Sequence, residues 1–254
     1  MTISELKIRA KDVLKSCYWM ALLATFLNTI LVYAVDGVAR SITSLGQEQI
    51  DYQRYFEYIA DGDYTRAVNY LESVNSNPVL SLISYLLSIA VTLCFTNILV
   101  VGLKKTFINA GKTHKVDIGD LFVPFKHYKE TFKTMFFHFL YIFLWGLLFI
   151  IPGIVKSYSY FMVPFIVAEN PKIDTARAFD ISKKAMDGEK AECFLMHLSF
   201  IGWYLLGLIA CCIGMYFVEP YLQATSNEFY LKVKNKALAS GIATPEDFGE
   251  MNVI

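Results

Sequence analysis

Apolar residues in this chain gather into long runs, and the polar stretches between them keep a helical period. Residues 2–17, "TISELKIRAKDVLKSC", set Ile3, Leu6, Ala10, Val13, Leu14 and Cys17 on one helical face. Thr2 and Glu5 spell a capping box, in which the threonine oxygen takes a free N–H and the glutamate reaches back. Lys7, Arg9, Lys11 and Lys15 supply a basic face, so this helix is expected to lie on an anionic membrane surface. An apolar span follows at 18–35. The long loop 36–78 holds two further stripes, Tyr52, Tyr55, Phe56, Ile59 and then Tyr64, Ala67, Val68, Leu71, separated by Asp61-Gly62-Asp63. Two short helices are predicted there, packed as a hairpin on the outer membrane face.

A second span is expected at 79–103. Ser84, Ser88, Thr92 and Thr96 recur along it every four residues, with Asn97 beside them. That spacing serves close helix packing, or alternatively a polar pathway. Residues 104–133 carry Lys104, Lys105, Lys112, Lys115, Lys126, Lys129 and Lys133. Within them Ile118, Leu121, Phe122, Phe125 and Phe132 share one helical face behind an N-cap at Asp117, predicting a second basic interfacial helix.

The stretch "FIIPGIVKSYSYFMVPF" decides the topology. Lysines crowd the N-terminus, 104–133 and 169–192, whereas 36–78 holds seven acids against three arginines, a net of −4. The positive-inside rule places the first three segments in the cytoplasm and the fourth outside. A third span at 134–151 must therefore return between 152 and 168, with Pro152-Gly153 as the turn. Lys156 then reaches the outer interface along its stem. The returning arm is short, about 25 Å at 1.5 Å per residue. A turn near Cys212-Ile213-Gly214 repeats the plan and keeps Lys232, Lys234 and Lys236 inside. The expectation is an all-α polytopic protein forming one membrane domain, 1–254, of about six spans in three hairpins, with both termini cytoplasmic. The recurring layout hints at three-fold internal repetition.

Composition agrees with this class. The chain is 55% hydrophobic and 18% charged, more apolar and less charged than a soluble domain. Each run is long enough for the roughly 20 residues a bilayer requires. The N-terminal run reads as an uncleaved signal-anchor, since its polar leader is long for a signal peptide. Cys17, Cys94, Cys193, Cys211 and Cys212 all fall in or beside apolar segments without CxxC spacing. They read as reduced packing residues.

The motifs "IPGIVKSYSYFMVPFIVAENP", "AFDISKKAMDGEK" and "LSFIGWYLLGLIACCIGMYFVEPYLQATSNEFY", with the opening "ELKIRAKDVLK…YWMALL", resemble a family of uncharacterised bacterial integral membrane proteins common in Gram-positive bacteria. More distantly, the layout is similar to the membrane domain of some bacterial glycerophosphodiesterases. No phosphodiesterase domain is present, so that activity does not transfer, and the family supplies no established catalytic residues. The acidic loop 36–78 reads as a local elaboration.

Candidate chemistry is sparse. Glu219 is the one acid inside an expected span, and Pro220 beside it removes a helical hydrogen bond. An intramembrane carboxylate by default marks function, here a proton or cation site; the plainer reading is a protonated or helix-paired side chain near the outer turn. His138 and His197 each stand near the start of an outgoing span and could pair, though two histidines make a weak metal site. Asn28 is expected in a helix–helix hydrogen bond. "AGKT" at 110–113 lacks the first glycine of a phosphate loop and a preceding strand. No nucleophile, base and oxyanion set is visible, and no cofactor, metal or nucleic acid is expected. The expected partner is membrane lipid, chiefly anionic, met by Lys126, Lys129 and Lys133, with a membrane-protein partner or a second copy as a further one. A non-enzymatic lipid-interacting or accessory role follows; the alternative is a small transporter using Glu219.

Overall fold

A computed structural model describes residues 1–44, 51–73, 78–209 and 214–250. Among these every regular element is a helix: α1 (Ile3–Ser44), α2 (Tyr52–Ala60), α3 (Tyr64–Ser73), α4 (Pro78–Thr113), α5 (Tyr128–Leu148), α6 (Ile150–Ser159), α7 (Val163–Glu169), α8 (Thr175–Ala185), α9 (Lys190–Leu198), α10 (Ile201–Ile209) and α11 (Gly214–Ala239), with 3-10 segments at Ile118–His127 and Pro245–Phe248. Among the described residues five helical stretches are long and apolar enough to cross a membrane: Ile3–Ser44, Val79–Thr113, Ile118–Leu148, Ile150–Glu169 and Lys190–Ile209. The protein is an all-α polytopic membrane protein. The segment expected as the sixth arm is α11, a helix of 26 residues that is not among these five; Glu219, Glu228, Lys232, Lys234 and Lys236 make it more polar than they are.

The described residues form two compact units, Leu31–Thr96 and the remainder. In the unit 31–96, α2 and α3 pack as the predicted hairpin. Asp51 caps α2, its carboxylate accepting from the Gln53 and Arg54 N–H groups, and Gly62 makes the turn with a φ of +71° that glycine alone adopts freely. Tyr58 meets Tyr70 edge-on at 6.0 Å. Tyr52, Phe56, Tyr64, Val68 and Leu71 remain exposed, half of the first expected stripe and most of the second. The preceding helix α1 runs to Ser44, nine residues beyond the expected end of the first span.

In the other unit, the capping box forms as predicted, with the Thr2 N–H donating to Glu5 at 2.9 Å. The helix breaks at Cys17, whose φ of −134° lies outside helical geometry, where the amphipathic segment gives way to the span. The apolar face of residues 3–17 does not lie on lipid, however. Leu6, Ala10, Val13 and Leu14 are buried in protein, the last three with Leu103, Phe107 and Ala110 of α4 and Ala224 of α11. Protein offers these side chains close packing on a shape that a fluid lipid surface cannot match.

Helix α4 continues ten residues past its expected end. The predicted interfacial α-helix is instead a 3-10 segment, capped as expected by Asp117, which accepts from the Gly119 N–H at 2.8 Å. Pro124 within it cannot donate to an α-helical ladder. In the tighter helix residues three apart eclipse, so Leu121 and Pro124 turn inward while Phe122 is exposed.

The chain does fold back on itself after α5, but at Phe149, whose extended φ and ψ (−157°, 140°) separate α5 from α6. Pro152-Gly153 is not the turn. Pro152 lies in the first turn of α6, where a missing N–H costs nothing, and Gly153 packs against α5. A Cβ on Gly153 would stand 2.7 Å from the Gly146 Cα. The second hairpin repeats this joint: a Cβ on Gly214 would stand 2.6 Å from the Gly207 Cα. The expected turn residues Cys212 and Ile213 lie outside the described residues, as does Cys211. Cys17, Cys94 and Cys193 are free thiols. Around the first turn the side chains are apolar and open, Leu147 at 72% and Ile150 at 77% exposure, as a helix surface in hydrocarbon would be.

Below the hairpins α7 is enclosed on all sides, and Val163, Ile166 and Val167 have no exposed surface. Phe165 stacks on Tyr230 of α11 at 4.6 Å. Arg177 of α8 clamps Asp247 with two hydrogen bonds of 3.1 and 2.7 Å, which hold the Asp247 carboxyl below the usual carboxylate range.

Candidate functional site

Glu219 is not isolated. It lies in the first turns of α11, just before Pro220, which deprives the Tyr216 carbonyl of its helical donor. One carboxylate oxygen accepts from the Tyr204 hydroxyl of α10 at 2.8 Å. The other accepts from the Gln223 amide, one turn further along, at 2.7 Å. The Gln223 carbonyl oxygen in turn accepts from the Lys104 ammonium of α4 at 2.7 Å. Lys104 also stands 4.7 Å from the centre of the Phe165 ring. A carboxylate and an ammonium are thus joined through a neutral amide, across three helices. Each donor and acceptor stabilises the charged form of its neighbour, which is how polar groups persist in an apolar bundle.

Sequence reasoning missed Lys104, assigning it to a basic interfacial segment. The available signal was position: Lys104 and Lys105 interrupt an apolar run that resumes at Thr106-Phe107-Ile108.

The two histidines are held separately. His138 bonds to the Tyr160 backbone and its ring is 6.4 Å from Phe179. His197 keeps Nδ1 2.8 Å from the Cys193 carbonyl and packs against Tyr158 and Phe161. The expected pairing is not formed, because each ring is engaged by neighbours of its own. No group of three or more metal-capable side chains occurs among the described residues. Lys156 places its ammonium 4.6 Å from the Trp145 ring centre, across the α5–α6 joint, a cation–π contact. Asn28 is buried and its side-chain oxygen has no partner among the described residues, so the expected interhelical bond is absent there.

Lys126, Lys129 and Lys133 are all exposed. They follow one another at the base of α5, ahead of exposed Phe139, Phe143 and Leu147.

A second polar cluster was also missed. Glu169, at the end of α7, is 3% exposed and meets the 5%-exposed Lys234 of α11 at 2.6 Å. The Tyr230 hydroxyl donates to the same oxygen at 2.6 Å. Lys112 approaches the other oxygen at 3.1 Å, and Glu250 takes a further bond from Lys234 at 2.9 Å. The cluster fastens α4, α7 and α11 together, and its satisfied geometry is that of a structural clasp.

The family model of DUF975, described as a protein of unknown function, matches residues 141–237. The match runs from within α5 through most of α11 and contains the hairpin motifs, Glu219 and Lys234; the N-terminal motif lies outside it. No curated protein matches the chain, and no solved structure does.

Proposed function

We propose that this is a non-enzymatic protein of the bacterial cytoplasmic membrane that binds anionic lipid and serves an accessory or scaffolding role, with both termini on the cytoplasmic side. A membrane-protein partner or a second copy would complete such a role. The observation that carries the reading is the run from Lys126 to Phe149. Three exposed lysines stand at the base of a helix whose further surface is open and apolar. Hydrocarbon suits the apolar part, and anionic headgroups suit the basic end, where each lysine adds to the attraction. The bacterial setting rests on the resemblance of the hairpin motifs, and the sidedness on the distribution of lysines.

The test is thermal stabilisation of the detergent-purified protein by phosphatidylglycerol relative to phosphatidylcholine. The wild type is expected to prefer the anionic lipid. The Lys126→Gln/Lys129→Gln/Lys133→Gln variant is expected to need a several-fold higher phosphatidylglycerol concentration for half-maximal stabilisation. A wild type indifferent to headgroup charge refutes the reading.

The Glu219 relay favours a second reading, a small transporter or permease. A carboxylate between Tyr204 and Gln223, beside a helix opened by proline, has the makings of a proton-coupled site. Protein in liposomes would then move a proton, cation or small solute. Glu219→Gln is expected to cut that flux at least tenfold while the melting temperature changes little. Absence of flux in the wild type across a broad solute panel removes this reading.

A further inference from the structure

A groove between α1 and the α10–α11 hairpin combines apolar walls with lysines. It encloses about 660 Å³, within the range of small-molecule sites. Gly207 and Gly214, where the two helices touch, border it. Leu14, Leu206, Phe217 and Val218 give it apolar walls. At one end stand Lys11 and Lys15, both exposed, with Tyr18 and Tyr221 beside them. Phe217 is shared with a second apolar groove of about 480 Å³, bordered by Trp19, Leu22, Leu23 and Phe26. Along α1 the two grooves are lined by Lys11 and Lys15 before the break at Cys17 and by Tyr18, Leu22 and Phe26 after it.

We infer that this is a binding site for one diacyl phospholipid with an anionic headgroup; the inference rests on the lipid-binding reading above and gives it an address. The occupant follows from the order of chemistry along the groove. A negative group is matched at one end only, and the lining beyond Tyr18 is apolar or aromatic. Two apolar channels on either side of Phe217 accept two chains, which a phospholipid supplies and a single-chain fatty acid does not. Basic pockets between membrane helices are the usual seats of anionic headgroups.

The lysines are differently disposed. Lys15 is engaged by Asp12 at 2.7 Å, so a headgroup must share it. Lys11 has no carboxylate on it among the described contacts and leans over the Tyr221 ring at 5.4 Å; Lys7, one turn back, leans over Phe200 at 4.5 Å. Lys11 therefore carries the larger part of headgroup recognition. The Tyr18 hydroxyl donates to the Phe217 carbonyl at 3.0 Å, which fixes α1 to α11 and keeps the groove open.

Native mass spectrometry of the full-length protein, released from detergent in the presence of phosphatidylglycerol, tests the site. The wild type is expected to retain one phosphatidylglycerol, and at least fivefold less phosphatidylcholine. Lys11→Gln/Lys15→Gln is expected to lower the retained fraction about tenfold. Val218→Trp, which fills the groove without touching charge, is expected to do the same. The charge-matched control Lys183→Gln/Lys184→Gln should retain lipid as the wild type does. If Val218→Trp fails to fold, the lysine variant decides alone. Undiminished retention in the lysine variant, or equal retention of phosphatidylcholine by the wild type, overturns the site. Should phosphatidylglycerol still stabilise the protein selectively in that case, lipid binding stands and only its address is wrong. Should the wild type show no such preference, the underlying reading falls as well.

Discussion

Lys234→Met is expected to destabilise the protein by about 3–5 kcal/mol, the cost of leaving a buried charge without its partner. Glu169 would keep its carboxylate in a space of 3% exposure, with its 2.6 Å ammonium gone. Lys112 cannot replace it. That side chain is half exposed and bonds the other carboxylate oxygen at 3.1 Å, where water weakens the attraction. The Tyr230 hydroxyl would remain as a neutral donor. Glu250, at 48% exposure, would turn to solvent with little loss. The double variant Glu169→Gln/Lys234→Met removes both charges and should recover most of the lost stability, because a buried ion pair costs nearly as much to desolvate as it returns. Thermal melts in one detergent, compared across the wild type and both variants, give the answer. A single variant as stable as the wild type would show that the cluster is not a clasp.

Gly153→Ala is expected to cost about 1–3 kcal/mol, the range for forcing an added methyl into a packed contact. The new carbon would meet the Gly146 Cα at 2.7 Å and the Gly146 nitrogen at 3.0 Å. Those are backbone atoms, so relief requires α5 and α6 to separate. The natural control is the other member of the pair. A Cβ on Gly146 meets nothing within 4 Å, so Gly146→Ala should be neutral, or stabilise by up to about 1 kcal/mol through helix propensity. Two alanines on facing glycines should therefore shift the melting temperature in different directions. Equal effects from both would mean that the hairpin does not close on Gly153.

What could be read in the sequence was what short range decides. The Thr2–Glu5 box, the α2–α3 hairpin with Gly62 at its turn and the Asp117 cap each depend on residues within a few positions of one another. The errors have identifiable causes. Pro152-Gly153 looks like a turn because both residues favour turns, yet proline is equally at home in a first helical turn. The glycine was there for proximity, which only the partner helix reveals. Residues 118–132 carry an α-helical pattern that Pro124 overrides. The amphipathic N-terminus was paired with lipid because nothing in its own residues distinguishes a lipid surface from a protein one. Glu219 stood out as an acid in an apolar run, but Lys104, its partner through Gln223, is far upstream. Glu169 and Lys234 are likewise 65 residues apart, and each alone reads as an ordinary charge at a segment end.

The two glycine joints have a further consequence, for the order in which the chain assembles. Each connects residues only seven positions apart, so its closure entropy is small and a hairpin of this kind forms on a microsecond scale once its residues are free. The contacts of α1 are of the opposite kind. Lys7 reaches Ser199 across 192 positions, and Tyr18 reaches Phe217 across 199. The same helix also packs on α4 through Ala10, Val13 and Leu14, a partner that is made well before Ser199 and α11. The docking of α1 is therefore divided in time: its seat on α4 is available early, whereas the bonds to Ser199 and Phe217 wait for the last hairpin, which closes by itself.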